Sequence, residues 1–130
     1  EIPVIANGDI YNVKDSIECL NITKADGIMI GRGVLGSPWI IGEIDSALKG
    51  LKNFKKPTTE EKLLLIIEHI NELILEKGDH GLLLARKHIA WTCKDFEGAQ
   101  NLRRILVKAK SPEEAKDEIL LMISTLKNKS

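Results

Sequence analysis

Two short apolar runs, Ile2-Pro-Val-Ile-Ala-Asn-Gly-Asp9 and Ala25-Asp-Gly-Ile-Met-Ile-Gly-Arg-Gly33, constrain this chain more than any other feature. Each is mostly β-branched and each ends in glycine and a polar residue. Between them, residues 11–22 place Val13, Ile17 and Leu20 at i, i+4, i+7, with Lys14, Asp15 and Glu18 opposite. That spacing predicts one amphipathic crossover helix, so the three parts read as a β-α-β unit. Near-continuous apolar runs, in place of alternation, predict parallel strands covered on both faces. In β/α barrels the loops after the carboxyl ends of the strands carry the ligands, and phosphate is commonly held after the last two strands. Interest therefore falls on Asn7-Gly8-Asp9 and Gly31-Arg32-Gly33.

A whole barrel needs about 250 residues, and this chain has 130. Glu1 runs straight into the first strand. The expectation is the carboxyl-terminal part of a longer protein, whose sheet has further strands elsewhere. Two parallel strands cannot close a barrel, and their edges leave unpaired backbone groups beside Val4, Ile28 and Ile30. The isolated segment is expected to be disordered, rearranged or self-associated through those edges, with the second half folding alone.

Past Gly33, Ser37 is placed to cap a short helix over 38–48 with Pro38 in its first turn, ending at Gly50. Pro57 then breaks the chain and sets the expected boundary between residues 1–57 and 58–130. Beyond it the character is wholly helical. Thr58-Thr-Glu-Glu61 is a capping box, followed by an apolar face from Leu63 to Ile74. Further helices are expected over 82–94, with Arg86 and Lys87 pointing away from Leu83 and Ile89, then over 99–110, then from Pro112 behind Ser111. Short connections make these a small bundle. The fold class is thus α/β followed by all-α, with residues 127–130 expected to fray.

The charge balance, 19 cations against 19 anions, excludes a chain that coats nucleic acid through net charge alone. Its distribution is uneven: Arg86, Lys87, Lys94, Arg103, Arg104, Lys108 and Lys110 face only Asp95 and Glu97 across that stretch. Cys19 and Cys93 fall in different helices outside any CxxC pair, which reads as reduced thiols of a cytoplasmic protein. No metal-ligand set is apparent, and no apolar run nears the roughly 18 residues of a membrane-spanning helix.

Either glycine loop alone is an ordinary tight turn. Together, on adjacent strands, they suit a phosphate-bearing cofactor or substrate. Glycine lets the backbone approach the oxygens, Asn7 offers an amide, and Arg32 supplies a permanently charged fork. In the second half, Arg86-Lys87-His88 followed by Trp91 combines phosphate-pairing charge with an aromatic surface, a combination suited to RNA, although a solvated helix face is the plain alternative.

These residues carry a resemblance. Ile-Pro-Val-Ile-Ala-Asn-Gly-Asp, Ala-Asp-Gly-Ile-Met-Ile-Gly-Arg-Gly, Gly-Ser-Pro-Trp-Ile and Ala85-Arg-Lys-His-Ile-Ala-Trp91, in that order, resemble the last part of a bacterial tRNA-dihydrouridine synthase, nearest the B-type branch. The resemblance implies the last two βα units of an FMN-binding TIM (β/α)8 barrel over 1–57 and a helical tRNA-binding domain over 58–130. It implies reduction of uridine in tRNA to 5,6-dihydrouridine, with NADPH restoring the flavin. Asn7, Gly8, Asp9, Gly31 and Arg32 would line the FMN phosphate. Arg86, Lys87 and His88, with Arg103 and Arg104, would face tRNA. The family's acid is a cysteine in a Cys-Pro context on an earlier loop, which neither Cys19 nor Cys93 matches, so this stretch is expected to be inactive alone. Two other readings stand beside this one: another FMN or phosphosugar barrel enzyme, and a non-enzymatic RNA-binding helical module.

Overall fold

The computed structural model describes residues 2–129, with Glu1 and Ser130 outside the described residues; residues 127–129, expected to fray, are helical. The chain divides into two compact units, Glu1–Lys56 and Pro57–Ser130.

In the first unit, strand β1 (Ile5–Asn7) pairs in parallel with β2 (Gly27–Met29), Ala6 opposite Ile28, through helix α1 (Val13–Thr23). Asn12 caps α1 by accepting from the Asp15 amide at 2.9 Å, while the Asp15 carboxylate accepts from the Tyr11 amide at 3.0 Å. This reciprocal cap satisfies two amides that the helix itself leaves unpaired. The expected stripe on α1 is buried only in part: Val13 packs on the core and Leu20 is half-buried. Ser16 is fully buried and donates to the Val13 carbonyl at 2.6 Å, whereas Ile17 and Ile22 are exposed. Val13, Cys19, Ile28, Ile30 and Val34 pack on a small core of Ile10, Ile40 and Ile44. Coverage of the strands on both faces, expected from their apolar runs, is not found: Val4, Ile5 and Met29 are exposed. Where the pair begins, Asp26 just before β2 accepts from the Val4 amide at 2.8 Å, while the Val4 carbonyl accepts from the Asp26 amide at 2.9 Å.

Helix α2 (Ile40–Leu48) starts two residues later than expected, with Trp39 at its cap position and no side-chain cap bond.

The second unit is a four-helix array of α3 (Thr59–Lys77), α4 (His80–Thr92), α5 (Ala99–Leu106) and α6 (Pro112–Lys129). The Thr58 capping box is formed in both directions: the Glu61 amide donates to the Thr58 hydroxyl at 3.2 Å and the Thr58 amide to Glu61 at 2.7 Å. Ser111 likewise accepts from the Glu114 amide at 3.1 Å at the head of α6. Leu63, Ile70, Ile89, Leu102, Leu106 and Ile119 form the fully buried centre, where each such side chain contributes about 1.5–3 kcal/mol.

Helix α4 starts at His80, two residues earlier than expected, which puts Gly81 inside its first turn. A Cβ on Gly81 would collide with the Leu73 carbonyl, so glycine is what permits α3 and α4 to approach there. Helix α5 ends at Leu106, short of the expected 110. Its end tightens into bonds from Lys108 to Ile105 and from Ala109 to Leu106.

Candidate functional site

Both loops that follow the strands meet at one pocket. After β1 the chain passes Gly8 and enters the left-handed region at Asp9 (φ 44) before burying Ile10. After β2 it turns at Gly31 into a 3-10 turn, Arg32–Val34. A Cβ on Gly33 would strike the Ile10 carbonyl and press on Ile30, so the two loops touch backbone to backbone at Gly33. The result is a pocket of about 330 Å³ lined by Asn7, Gly8, Asp9, Ile10, Tyr11, Gly31, Arg32 and Gly33. All five residues expected at a phosphate are thereby brought together. Ile10, Tyr11 and Gly33 were not among them. The signal for Gly33 was in the Gly-Arg-Gly triplet, but a sequence does not show which glycine the fold needs and which faces open space. A Cβ added at Gly8 or Gly31 would meet nothing within 4 Å.

Arg32 reaches across the pocket and pairs with Asp9 at 2.6 Å; the side chains are 75% and 69% exposed. The hydrogen bond to Asp9, with the charges of Tyr11 and Asp9 behind it, raises the Arg32 pKa further above an already high value. Tyr11 donates its hydroxyl to the same Asp9 oxygen at 3.3 Å. The arginine thus meets a carboxylate, yet both groups stay in solvent, and the pair is open to an incoming anion.

The cationic residues of the second unit separate into three roles. Arg86 does not point away: it is half-buried, donates to the Ala109 carbonyl at 3.0 Å, and its Nε is buried without a partner among the described residues. That carbonyl lies past the end of α5, where no helical amide pairs it. His88 is half-buried in an aromatic ladder, 4.2 Å from the His69 ring and 5.3 Å, edge-on, from Trp91. Burial, and then the charge of His69, lowers its pKa from 6.5. Lys87, Arg103 and Arg104 are exposed. Arg103 and Arg104 line an open groove of about 490 Å³ with Ala90, Gln100, Asn101 and Val107, and Arg104 is steadied by Asn101 at 2.8 Å. Lys87 lies one turn before Ala90 on the same helical face.

Both cysteines are free. Burial pushes the Cys93 thiol up to about 12, against a smaller opposing effect of Arg103. No group of three or more metal-ligating side chains occurs among the described residues, and no helix among them is long and apolar enough to cross a membrane.

The family model described as Dihydrouridine synthase (Dus) matches residues 1–129. The chain belongs to the dihydrouridine synthase family. It is 50% identical over 126 residues to a protein of Synechocystis named probable tRNA-dihydrouridine synthase 1, covering 97% of this chain and 36% of that protein. A probable tRNA-dihydrouridine synthase of Rickettsia bellii is 35% identical over 130 residues, 99% of this chain and 40% of that one. One of Mycobacterium leprae is 38% identical over 114 residues, 87% and 30% respectively. The chain therefore spans between 30% and 40% of the length of these relatives.

Proposed function

We propose that this chain is the carboxyl-terminal part of an FMN-dependent tRNA-dihydrouridine synthase that acts in the cytoplasm with NADPH as reductant. In this reading residues 1–57 supply the last two βα units of a TIM barrel and residues 58–130 bind tRNA. The observation that carries it is the backbone contact of Gly33 with Ile10, which places Asn7, Gly8, Gly31 and Arg32 on one small pocket. Family membership and relatives named for this activity support the same reading.

The pocket fits the phosphate end of a flavin nucleotide. It is open at Gly8 and Gly31, and the forked cation of Arg32 is exposed at its mouth. Asn7 and Arg32 would hold the phosphate oxygens, with the Gly8 and Gly31 amides beside them. FMN, when bound, supplies the hydride that saturates the uracil ring. Asp9 orients Arg32, and Ile10 anchors the first loop in the core so that the pocket keeps its shape. In the second unit Lys87, Arg103 and Arg104 attract RNA phosphates and set register without reading bases. Arg86 fixes the α5 end through Ala109, and His88 fixes α4 against α3. Neither Cys19 on α1 nor Cys93 in the bundle core is followed by proline as the family's acid is, so the proton to uracil would come from another part of the full-length protein. The chain alone is inactive.

The test is to purify the full-length protein and incubate it with NADPH and tRNA lacking dihydrouridine. It is expected to carry flavin and to form dihydrouridine. A colourless protein, or one that leaves the uridines intact, overturns the reading.

A further inference from the structure

Asp9 and Arg32 are the two charged side chains that line the pocket, and each neutralises the other. A carboxylate in that place opposes the binding of any anion. It is nevertheless built in with some care. Its backbone is held at φ 44, a conformation that Asp, Asn and Gly accept most readily. Its Oδ1 takes the Arg32 fork at 2.6 Å and the Tyr11 hydroxyl at 3.3 Å, tying together loops 23 residues apart in sequence.

We propose that Asp9 is an internal competitor for the phosphate site: it holds Arg32 across the mouth until a phosphate monoester displaces it, and so restricts the pocket to strongly charged anions. This rests on reading the pocket as a phosphate site. The pair is largely exposed, so solvent and salt weaken it and it is readily given up. A phosphate monoester carries close to two negative charges above its second pKa of about 6 and takes both prongs of the guanidinium. A monoanionic carboxylate offers Arg32 no more than Asp9 already does. Selectivity then comes from the repulsive element, with some affinity lost in exchange.

Titrations of the flavin-free full-length protein with inorganic phosphate and, separately, with acetate, followed by the amide signals of Gly8, Gly31 and Arg32, test the proposal in the parent, Asp9→Asn, Asp9→Gly and Arg32→Gln. Asn keeps the shape and the left-handed backbone, and Gly suits the backbone without any side chain. Both Asp9 variants are expected to bind phosphate roughly three- to tenfold more tightly at low salt, with the gap narrowing as salt rises. They should also begin to respond to acetate, and Arg32→Gln should lose both responses. If the Asp9 variants bind phosphate no more tightly than the parent while Arg32→Gln abolishes binding, the competitor role is refuted and the phosphate site stands. If phosphate moves none of the Gly8, Gly31 and Arg32 amides in any variant, the phosphate reading falls and the proposal with it.

Discussion

The backbone of Gly33 lies against the carbonyl of Ile10 so closely that no side chain can be placed there. This contact joins the loop after β2 to the loop after β1 beside the pocket that both loops line. Gly33→Ala must separate the loops, because its clash is with backbone, which cannot rotate aside. A destabilisation of about 2–4 kcal/mol is expected. Gly31→Ala, with nothing within 4 Å of its new methyl, should leave stability within about 0.5 kcal/mol. Urea unfolding of both variants checks the difference; equal losses would mean that the contact does not hold the loops.

Arg86 and Lys87 are neighbours with different work to do. Removal of the Arg86 bond to Ala109 leaves a carbonyl at the end of α5 without its donor. Arg86→Ala should therefore lower the stability of the helical unit by about 1–3 kcal/mol, with Arg86→Lys recovering part of it. Lys87→Ala should leave stability unchanged and weaken tRNA binding by the full-length enzyme, reducing the slope of log affinity against log salt by about 1. Denaturant titrations paired with salt-dependent binding separate the two. A stable Arg86→Ala variant with a reduced salt slope would return Arg86 to the RNA surface.

The elements of this chain were legible where local chemistry decides them. Thr58 with Glu61, and Ser111 with Glu114, announce their helices because each cap is complete within four residues. The β-α-β order follows from two apolar runs separated by one helical spacing. What the sequence hid depends on partners far along the chain. Periodicity alone chose Ile17 as a buried position of α1, whereas the helix buries Ser16, a side chain small enough to be covered completely and able to bond its own helix. Arg86 looked like surface because its acceptor, the Ala109 carbonyl, lies 23 residues away in sequence. The five expected pocket residues were visible through their glycines. Gly33 needed the Ile10 carbonyl to reveal its part.

The His69, His88 and Trp91 ladder makes the helical unit sensitive to acid. Burial first, and His69 second, lower the His88 pKa below its ordinary 6.5. The unfolded chain then binds that proton more readily than the folded one. The stability is complete above the unfolded value and falls as pH drops through 6.5 toward the lower folded value. Urea unfolding at pH about 7.5 and about 5.5 should show the parent losing stability on acidification and His88→Gln losing less. An identical loss in both would place the titrating group elsewhere.

The two thiols should differ in reactivity. Cys93 is buried with its pKa pushed up to about 12, so almost no thiolate is present near neutrality. Cys19 is half-buried on α1. Alkylation with iodoacetamide followed by mass spectrometry should label Cys19 first and Cys93 only once the helical unit unfolds. Early labelling of Cys93 would mean that the core around it opens in the native state.

If Arg32 grips the phosphate of a flavin, the flavin content of the purified full-length protein reports it most directly. The parent should be yellow, Lys87→Ala should keep its flavin, and Arg32→Gln should lose most of it while still binding tRNA. A colourless parent, or an Arg32→Gln variant with undiminished flavin, would contradict the claim.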